Sequence, residues 1–469
     1  MKSLFVRASA LALAATAAIL AQEVPMARAA DLTAGIAVVD ITPPLGYRMS
    51  GYFNERLSTG TKDPLYAKAL VLGQGDVRAA LVFCDIIGIS PEVSARARRE
   101  ASAKIGIPPE NILIAGTHSH TGPLYWGALR KHFHDRAVAE HGKDPCETVQ
   151  YALADKLVDV IGRADAAARP ALLAAGTAEQ QGLSFNRRFH MKDGTVRFNP
   201  GPLNPDIVRA AGPIDPQVSI VMLRRPGAEK PVAGIVNFAL HADTVGGTLY
   251  SADYPCYCEQ TLREAFGKDF LLLFGNGTCG DINHIDVTCK ERLKTDVIGR
   301  TLAETVRAAA LVPVAEPRLA VRREIIHAPL QKVTPEKIAW AHEAIAKVGT
   351  ADLPFLEQVE AYKVLALEMR EGDTINLEVQ VFRLSKDVAL VGLPGEVFVD
   401  LGLAIKKASP FPVTLVVELC HDAPGYMPTR KAFAEGSYET VNSRIAPGGG
   451  EMMVEAAARL LKELGRAAE

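Results

Sequence analysis

The chain has 469 residues, of which 48% are hydrophobic and 23% charged, with a formal net charge of −2. These proportions are ordinary for a globular protein, and the length is enough for a large core. No basic run is present to follow a nucleic-acid backbone, which excludes that class of partner.

In chain order, Met1-Lys2 and Arg7 flank an alanine-rich apolar run over 8–21, and the small-residue site Ala27-Arg28-Ala29 follows. This pattern predicts a secretory signal peptide over 1–29, cleaved after Ala29. Its apolar run is too short for a spanning helix, and no other run of spanning length occurs. The expected mature product is therefore periplasmic or secreted, with no integral membrane segment. Loss of Lys2, Arg7, Glu23 and Arg28 takes its charge to about −4. Seven cysteines (84, 146, 256, 258, 279, 289 and 420) leave at least one thiol unpaired in an oxidising compartment. Cys256-x-Cys258 lacks the two-residue spacing of a zinc ribbon or a redox motif.

Short apolar runs predict strands at 35–41, 66–72, 79–87, 112–116, 171–178, 218–224, 233–240 and 270–274. Helical periodicity marks 92–105, 147–166, 255–266 and 294–310. Over 315–371 come one strand-like piece, 318–327, and two helices with charged faces, 334–348 and 353–369. Strands at 376–384, 388–392 and 413–418 follow, and a helix at 451–464 closes the chain after Pro447-Gly448-Gly449-Gly450. Strands interleaved with helices of this size predict an α/β (mixed α+β) fold of layered sheets covered by helices. With no Pro/Ser-rich linker, 30–469 reads as one continuous domain with a helical insertion at about 330–371.

Four segments couple a strand end or turn to a residue able to bind metal. They are Thr117-His118-Ser119-His120-Thr121-Gly122-Pro123, Asn237-Phe238-Ala239-Leu240-His241-Ala242-Asp243, Leu393-Pro394-Gly395-Glu396, and Pro424-Gly425-Tyr426-Met427-Pro428-Thr429. Imidazole is the commonest protein metal ligand, and strand ends are where open α/β sheets bind ligands. If the strand before His118 persists, His118 and His120 face the same side. Singly, each segment has a plainer reading: a hydrogen-bonded core histidine, a helix cap at Glu396, a turn aromatic at Tyr426.

Together with Val39-Asp40-Ile41-Thr42-Pro43-Pro44, Asn186-Arg187-Arg188 and Gly280-Asp281-Ile282-Asn283, the set resembles the neutral/alkaline non-lysosomal ceramidase family in its N-terminal catalytic domain. The resemblance runs from about Gly35 to the last helix. It implies one zinc ion per chain, held by His118, His241, Glu396 and Tyr426, an N/O donor set suited to that metal. It also implies attack of a zinc-bound hydroxide on an amide (N-acyl) carbonyl, in a small-molecule or lipid-like substrate such as an N-acylsphingosine. His120 then sits beside the metal as a substrate or proton contact, with Asp281 as a second candidate proton carrier. Tyr438 matches a family tyrosine near the substrate carbonyl and reads as an oxyanion donor. Arg187 matches an arginine facing the site, with a salt-bridged arginine as the plainer alternative.

Two departures stand out. Where the family has a serine after Gly-Asp-x, this chain has Asn283, which cannot be acylated, so zinc-hydroxide attack survives and a serine nucleophile does not. The C-terminal β-sandwich domain of characterised members is also expected to be missing after residue 469.

Other readings remain. The same metal site could cleave an ester or a carbohydrate-derived linkage, or serve a non-catalytic periplasmic binding protein. Gly275-Asn276-Gly277-Thr278-Cys279-Gly280 fits the first half of a dinucleotide fingerprint, but no helix opens directly after it. Its glycines read better as room for close backbone approach. His132, His134 and His141 are expected on a loop near the pocket, and His284 and His421 as partners of ligand residues. His190, His327 and His342 read as structural, and Asp243 and Asp253 as helix caps.

Overall fold

The computed structural model describes residues 32–148 and 151–466; the leader expected over 1–29 lies outside the described residues. Three sheets of four or five strands form the body of the described residues. The first orders Ile112–Gly116, Val77–Cys84, Tyr66–Gln74, Thr33–Asp40 and Arg169–Pro170. The second orders Leu271–Asn276, Pro231–Phe238, Gln217–Arg224, Leu172–Glu179 and Val312–Pro313. The third orders Pro317–Pro329, Thr374–Ser385, Val388–Gly392 and Val413–Val417. Each sheet is antiparallel apart from a single parallel pair at one edge.

The strands read as continuous apolar runs because both faces of each sheet are covered. Alternate residues go to different cores. Leu81 and Phe83, Leu271 and Leu273, and Leu390 and Leu415 point inwards to one core shared by all three sheets. Their neighbours point outwards. Ala80 and Val82 meet the helices Pro91–Ile105 and Leu153–Ala166; Leu272 and Phe274 meet Tyr254–Phe266 and Thr295–Ala308; Val391 and Val416 meet Val399–Ala408 and Gly449–Arg466. The fold is thus the expected mixed α/β arrangement of layered sheets covered by helices.

Local chemistry sets the helix ends. Ser90 Oγ accepts from the Val93 amide ahead of Pro91, and Gly106 stops the same helix in the left-handed region. Asp253 likewise caps Tyr254–Phe266, as expected from its position. Pro335–Ala344 and Phe355–Glu368 form the expected helical pair over the insertion, packing through Ala341, Ala344, Ala361 and Val364.

Two expectations need correction. The segment carrying His132, His134 and His141 is not a loop but the helix Gly127–His141. Few apolar residues mark it, and it is held by Leu129 and Phe133 packing with Leu124 and Tyr362. The helix expected over 147–166 begins only at Leu153, after a short 3-10 turn at Pro145–Thr148. No helix among the described residues is long and apolar enough to cross a membrane.

Candidate metal centre

The carboxyl ends of the three parallel pairs converge. Ile112–Gly116 leads to His118 and His120, Pro231–Phe238 to His241, and Val388–Gly392 to Glu396. Short backbone bonds tie these ends together. Gly116 donates to the Leu419 carbonyl, Glu418 to that of Asn276, and Cys420 to that of Leu393.

The strand does not persist to the histidine pair. It stops at Gly116, and His118 takes a left-handed backbone (φ 73°), an uncommon state for a residue with a Cβ. Both imidazoles nevertheless reach one cavity, with Nε2 atoms 3.3 Å apart. The turn is held by the amides of Thr117 and His118 donating to the carbonyls of Cys84 and Ile86.

Each of the three converging imidazoles donates its Nδ1–H to a backbone carbonyl. His118 bonds Ile87 at 2.9 Å, His120 bonds Gly51 at 3.1 Å and His241 bonds Cys279 at 2.9 Å. A carbonyl can only accept, so the neutral rings carry their lone pairs on Nε2. The three histidines are buried, with ligand atoms all within 4.8 Å of one another. Glu396 Oε2 lies 3.4 Å from His118 Nε2 and 3.5 Å from His241 Nε2. It is buried and has no hydrogen-bond partner. A buried carboxylate oxygen without a donor is costly, and a cation among these atoms would satisfy it. The donor set therefore fits a metal ion. His120 makes no such approach to Glu396.

Electrostatics separates His118 from the other two rings. Burial pushes His120 down to about 4. Burial, with Arg187 and His118 nearby, pushes His241 down to about 3, so both rings are neutral at neutral pH. Burial opposes ionisation of Glu396, but the facing His118 Nε2, whose own value Glu396 raises above the ordinary imidazole range despite burial, outweighs it and holds the carboxyl well below its ordinary range.

Tyr426 enters through the backbone. Glu396–Val397 and Tyr426–Met427 form a two-residue parallel ladder with Glu396 opposite Tyr426, so the two side chains arrive together. Tyr426 is buried, and its hydroxyl donates to that of Tyr438 at 3.5 Å. Arg187 proves to be both salt-bridged and at the site. It bonds Glu439 (Nε, 2.9 Å) and the Gly280 carbonyl (2.7 Å), lies 3.3 Å from His241 Nε2, and stacks against the Tyr426 and Tyr438 rings.

Glu418, which the sequence did not single out, completes the surroundings together with three residues that it did. Glu418 is fully buried; it accepts from the Val397 amide (2.7 Å), the Cys279 amide (3.2 Å) and the Cys279 thiol (3.0 Å), and burial pushes it up to about 8. Asp243 is not a helix cap: it accepts from the Tyr52 hydroxyl at 2.7 Å and stands 3.6 Å from His120 Nδ1. Asp281 is buried with both oxygens engaged, one by the Val399 amide and the other by Asn186, so it anchors the start of Val399–Ala408. Asn283 lines the cavity, bonded to Asn199 at 2.8 Å.

The remaining histidines are more distant in role. His134 faces Asp144, and His421 bonds Ser94 and Gln380 and touches no ligand residue. His284 lines the cavity. His190 lies beside Glu435, while His327 and His342 are exposed beside Asn376 and Glu368. The glycine-rich segment serves close approach. A Cβ on Gly277 would meet the Ala239 amide at 2.7 Å, and one on Gly280 the Glu396 carbonyl at 2.5 Å.

Residues 32–285 match the family model described as neutral/alkaline non-lysosomal ceramidase, N-terminal. The fold is similar to that of a neutral ceramidase from Pseudomonas aeruginosa, at a TM-score of 0.70 and 20% identity, covering 93% of this chain and 75% of that one. It is also similar to a ceramidase complexed with C2, at 0.66 and 18% identity, covering 93% and 76%. No curated protein matches the sequence.

Proposed function

Since the chain belongs to the neutral/alkaline non-lysosomal ceramidase family, we propose that it is a zinc-dependent hydrolase of an amide (N-acyl) bond. The observation that carries this reading is the orphaned Glu396 oxygen facing the Nε2 atoms of His118 and His241. His118, His241, Glu396 and Tyr426 would hold one zinc ion per chain. When bound, zinc polarises a carbonyl oxygen and makes water nucleophilic at neutral pH.

The chain's own residues do the rest. Tyr438 donates its hydroxyl proton in a hydrogen bond to the carbonyl oxygen as negative charge develops there. His120 Nε2 accepts the proton given up by the attacking water and passes it to the nitrogen that leaves as the C–N bond breaks, while Asp243 beside Nδ1 offsets the charge. Among the proton-carrier candidates His120 lines the cavity, whereas Asp281 is occupied as an anchor. Arg187 keeps Tyr426 and Tyr438 in place from behind. The substrate is a small N-acyl or lipid-like compound, met after export to a periplasm or the exterior.

Metal analysis with turnover tests this reading. Wild-type protein should carry about one zinc per chain, by the one-site ligand count. It should also release amine from a panel of N-acyl sphingosines, amino acids and sugars. His118→Ala and His241→Ala should lose the metal, and Cys256→Ser should keep it. Full metal retention in both histidine variants would overturn the assignment.

A further inference from the structure

Two cavities meet at the candidate metal centre and share Tyr52, Phe53, His120, Tyr426 and Tyr438. Beside His118 and Glu396, the smaller one, about 150 Å³, is walled by Phe53, Leu124, Trp126, Leu129 and Leu419. That wall suits a hydrocarbon arm; beyond the centre and the tyrosines, the polar members of the lining are Ser50, Asn442 and Arg444, the last already engaged by the Asn442 carbonyl and the Tyr362 ring. The larger cavity, about 730 Å³, is lined by Phe198 and Phe355 and by Asn283, Asn199, His284 and Arg292.

Part of its lining carries N–H donors without an acceptor among the described residues. Arg292 is exposed and, among the described residues, makes no ion pair or hydrogen bond. Asn283 gives one amide proton to Asn199 Oδ1, and its own oxygen accepts from the Ile285 amide, which leaves a second proton free. Asn199 Nδ2 makes no hydrogen bond among the described residues, and Asn199 is held with φ 43° by its backbone N–H donating to the Arg187 carbonyl. The carboxylate on this cavity, Asp243, is already taken by Tyr52, and the other arginine, Arg187, by Glu439. An incoming group therefore meets free N–H donors and one unpaired guanidinium, whose planar fork matches a carboxylate.

We infer that this cavity is a headgroup site for a carboxylate, so that the substrate class is the N-acyl amino acids, with the acyl arm in the apolar cavity. The inference rests on the amide-hydrolase reading for the scissile bond, but the headgroup site stands on its own donors. It also gives Asn283 a purpose, as a donor that holds its partner Asn199 ready.

Paired ligands test it on the metal-loaded protein: N-hexanoylglycine, which ends in a carboxylate, and N-hexanoylethanolamine, which ends in a hydroxyl. Binding is read by calorimetry, or as KM where turnover intervenes, and amine release is followed in parallel samples. The carboxylate ligand should bind about 10- to 100-fold more tightly, the range of one charge-assisted hydrogen bond. Arg292→Gln should remove that advantage without changing metal content, and added salt should reduce it. Equal binding of the pair, or a preference that survives Arg292→Gln, would overturn the inference. A carboxylate preference without amine release supports the headgroup site and counts against the amidase reading alone.

Discussion

Gly280→Ala offers a stringent test of how the site is held. Gly280 sits between the His241 side of the centre and the Glu396 ladder, with its amide donating to the Val397 carbonyl. A Cβ there would lie 2.5 Å from the Glu396 carbonyl oxygen and 3.0 Å from two backbone carbons, with no flexible side-chain end to yield. Restoring an ordinary contact of 3.4 Å needs a retreat of about 0.9 Å by the strand that carries Glu396. The φ of Gly280 is not in the left-handed region, so backbone strain does not confuse the result. Overpacking of this kind costs about 1–3 kcal/mol of stability. Displacement on the order of 1 Å at a working site costs about 100-fold in turnover. Chelator competition and kcat should therefore both report loss in a variant that still unfolds cooperatively. Gly246→Ala is the control, because its Cβ would meet only the Tyr52 hydroxyl, at 3.9 Å, and metal affinity should be unchanged. If Gly280→Ala resists a chelator as well as wild type, the backbone contact does not set the position of Glu396.

Two further outcomes follow from buried carboxyl groups. Glu418→Gln keeps one acceptor for the Val397 and Cys279 amides and should weaken metal binding about 10- to 100-fold, as loss of a ligand-orienting contact does; Glu418→Ala should do worse, and unchanged chelator competition in both would show that Glu418 only fills space. Glu378 is gripped by both terminal nitrogens of Arg98 at 2.7 and 2.8 Å; burial pushes its carboxyl up, but those bonds and the charge win and hold it at about 2. Its folded value is depressed, so its stabilisation is present above the unfolded value of about 4.3 and fades as pH falls towards 2, up to about 3 kcal/mol in all. Urea midpoints measured between pH 5 and 2 should fall less steeply in Glu378→Gln, and parallel slopes would rule out this pair as a source of the acid sensitivity.

The strands were legible because burial on both faces makes them continuous apolar runs, and their ends bear most of the candidate ligands. What could not be read was how residues far apart in sequence meet. The Glu396–Tyr426 ladder is two residues long and has no apolar pattern of its own. Asp243 follows an ordinary strand end, and only the fold brings Tyr52 to it. Glu418 reads as the last residue of a strand, and its role depends on which amides its carboxylate meets. The helix Gly127–His141 escaped because its charged surface hides a contact made by very few side chains. In the other direction, the His118-x-His120 spacing suggested a strand carrying both rings, whereas the backbone turns at His118 and reaches the same cavity by another path.

The meeting of three sheet edges at one point also fixes when the centre can exist. His118 lies early in the chain and Tyr426 near its end, and each arrives from a sheet that closes separately. Bringing such distant segments together is entropically the slow part of folding. The first sheet can form with both its histidines in place and still lack the carboxylate and the phenol. Capture of a metal by these residues would thus come late, once the last sheet has docked, and a chain halted before that step would carry imidazoles without the rest of the site.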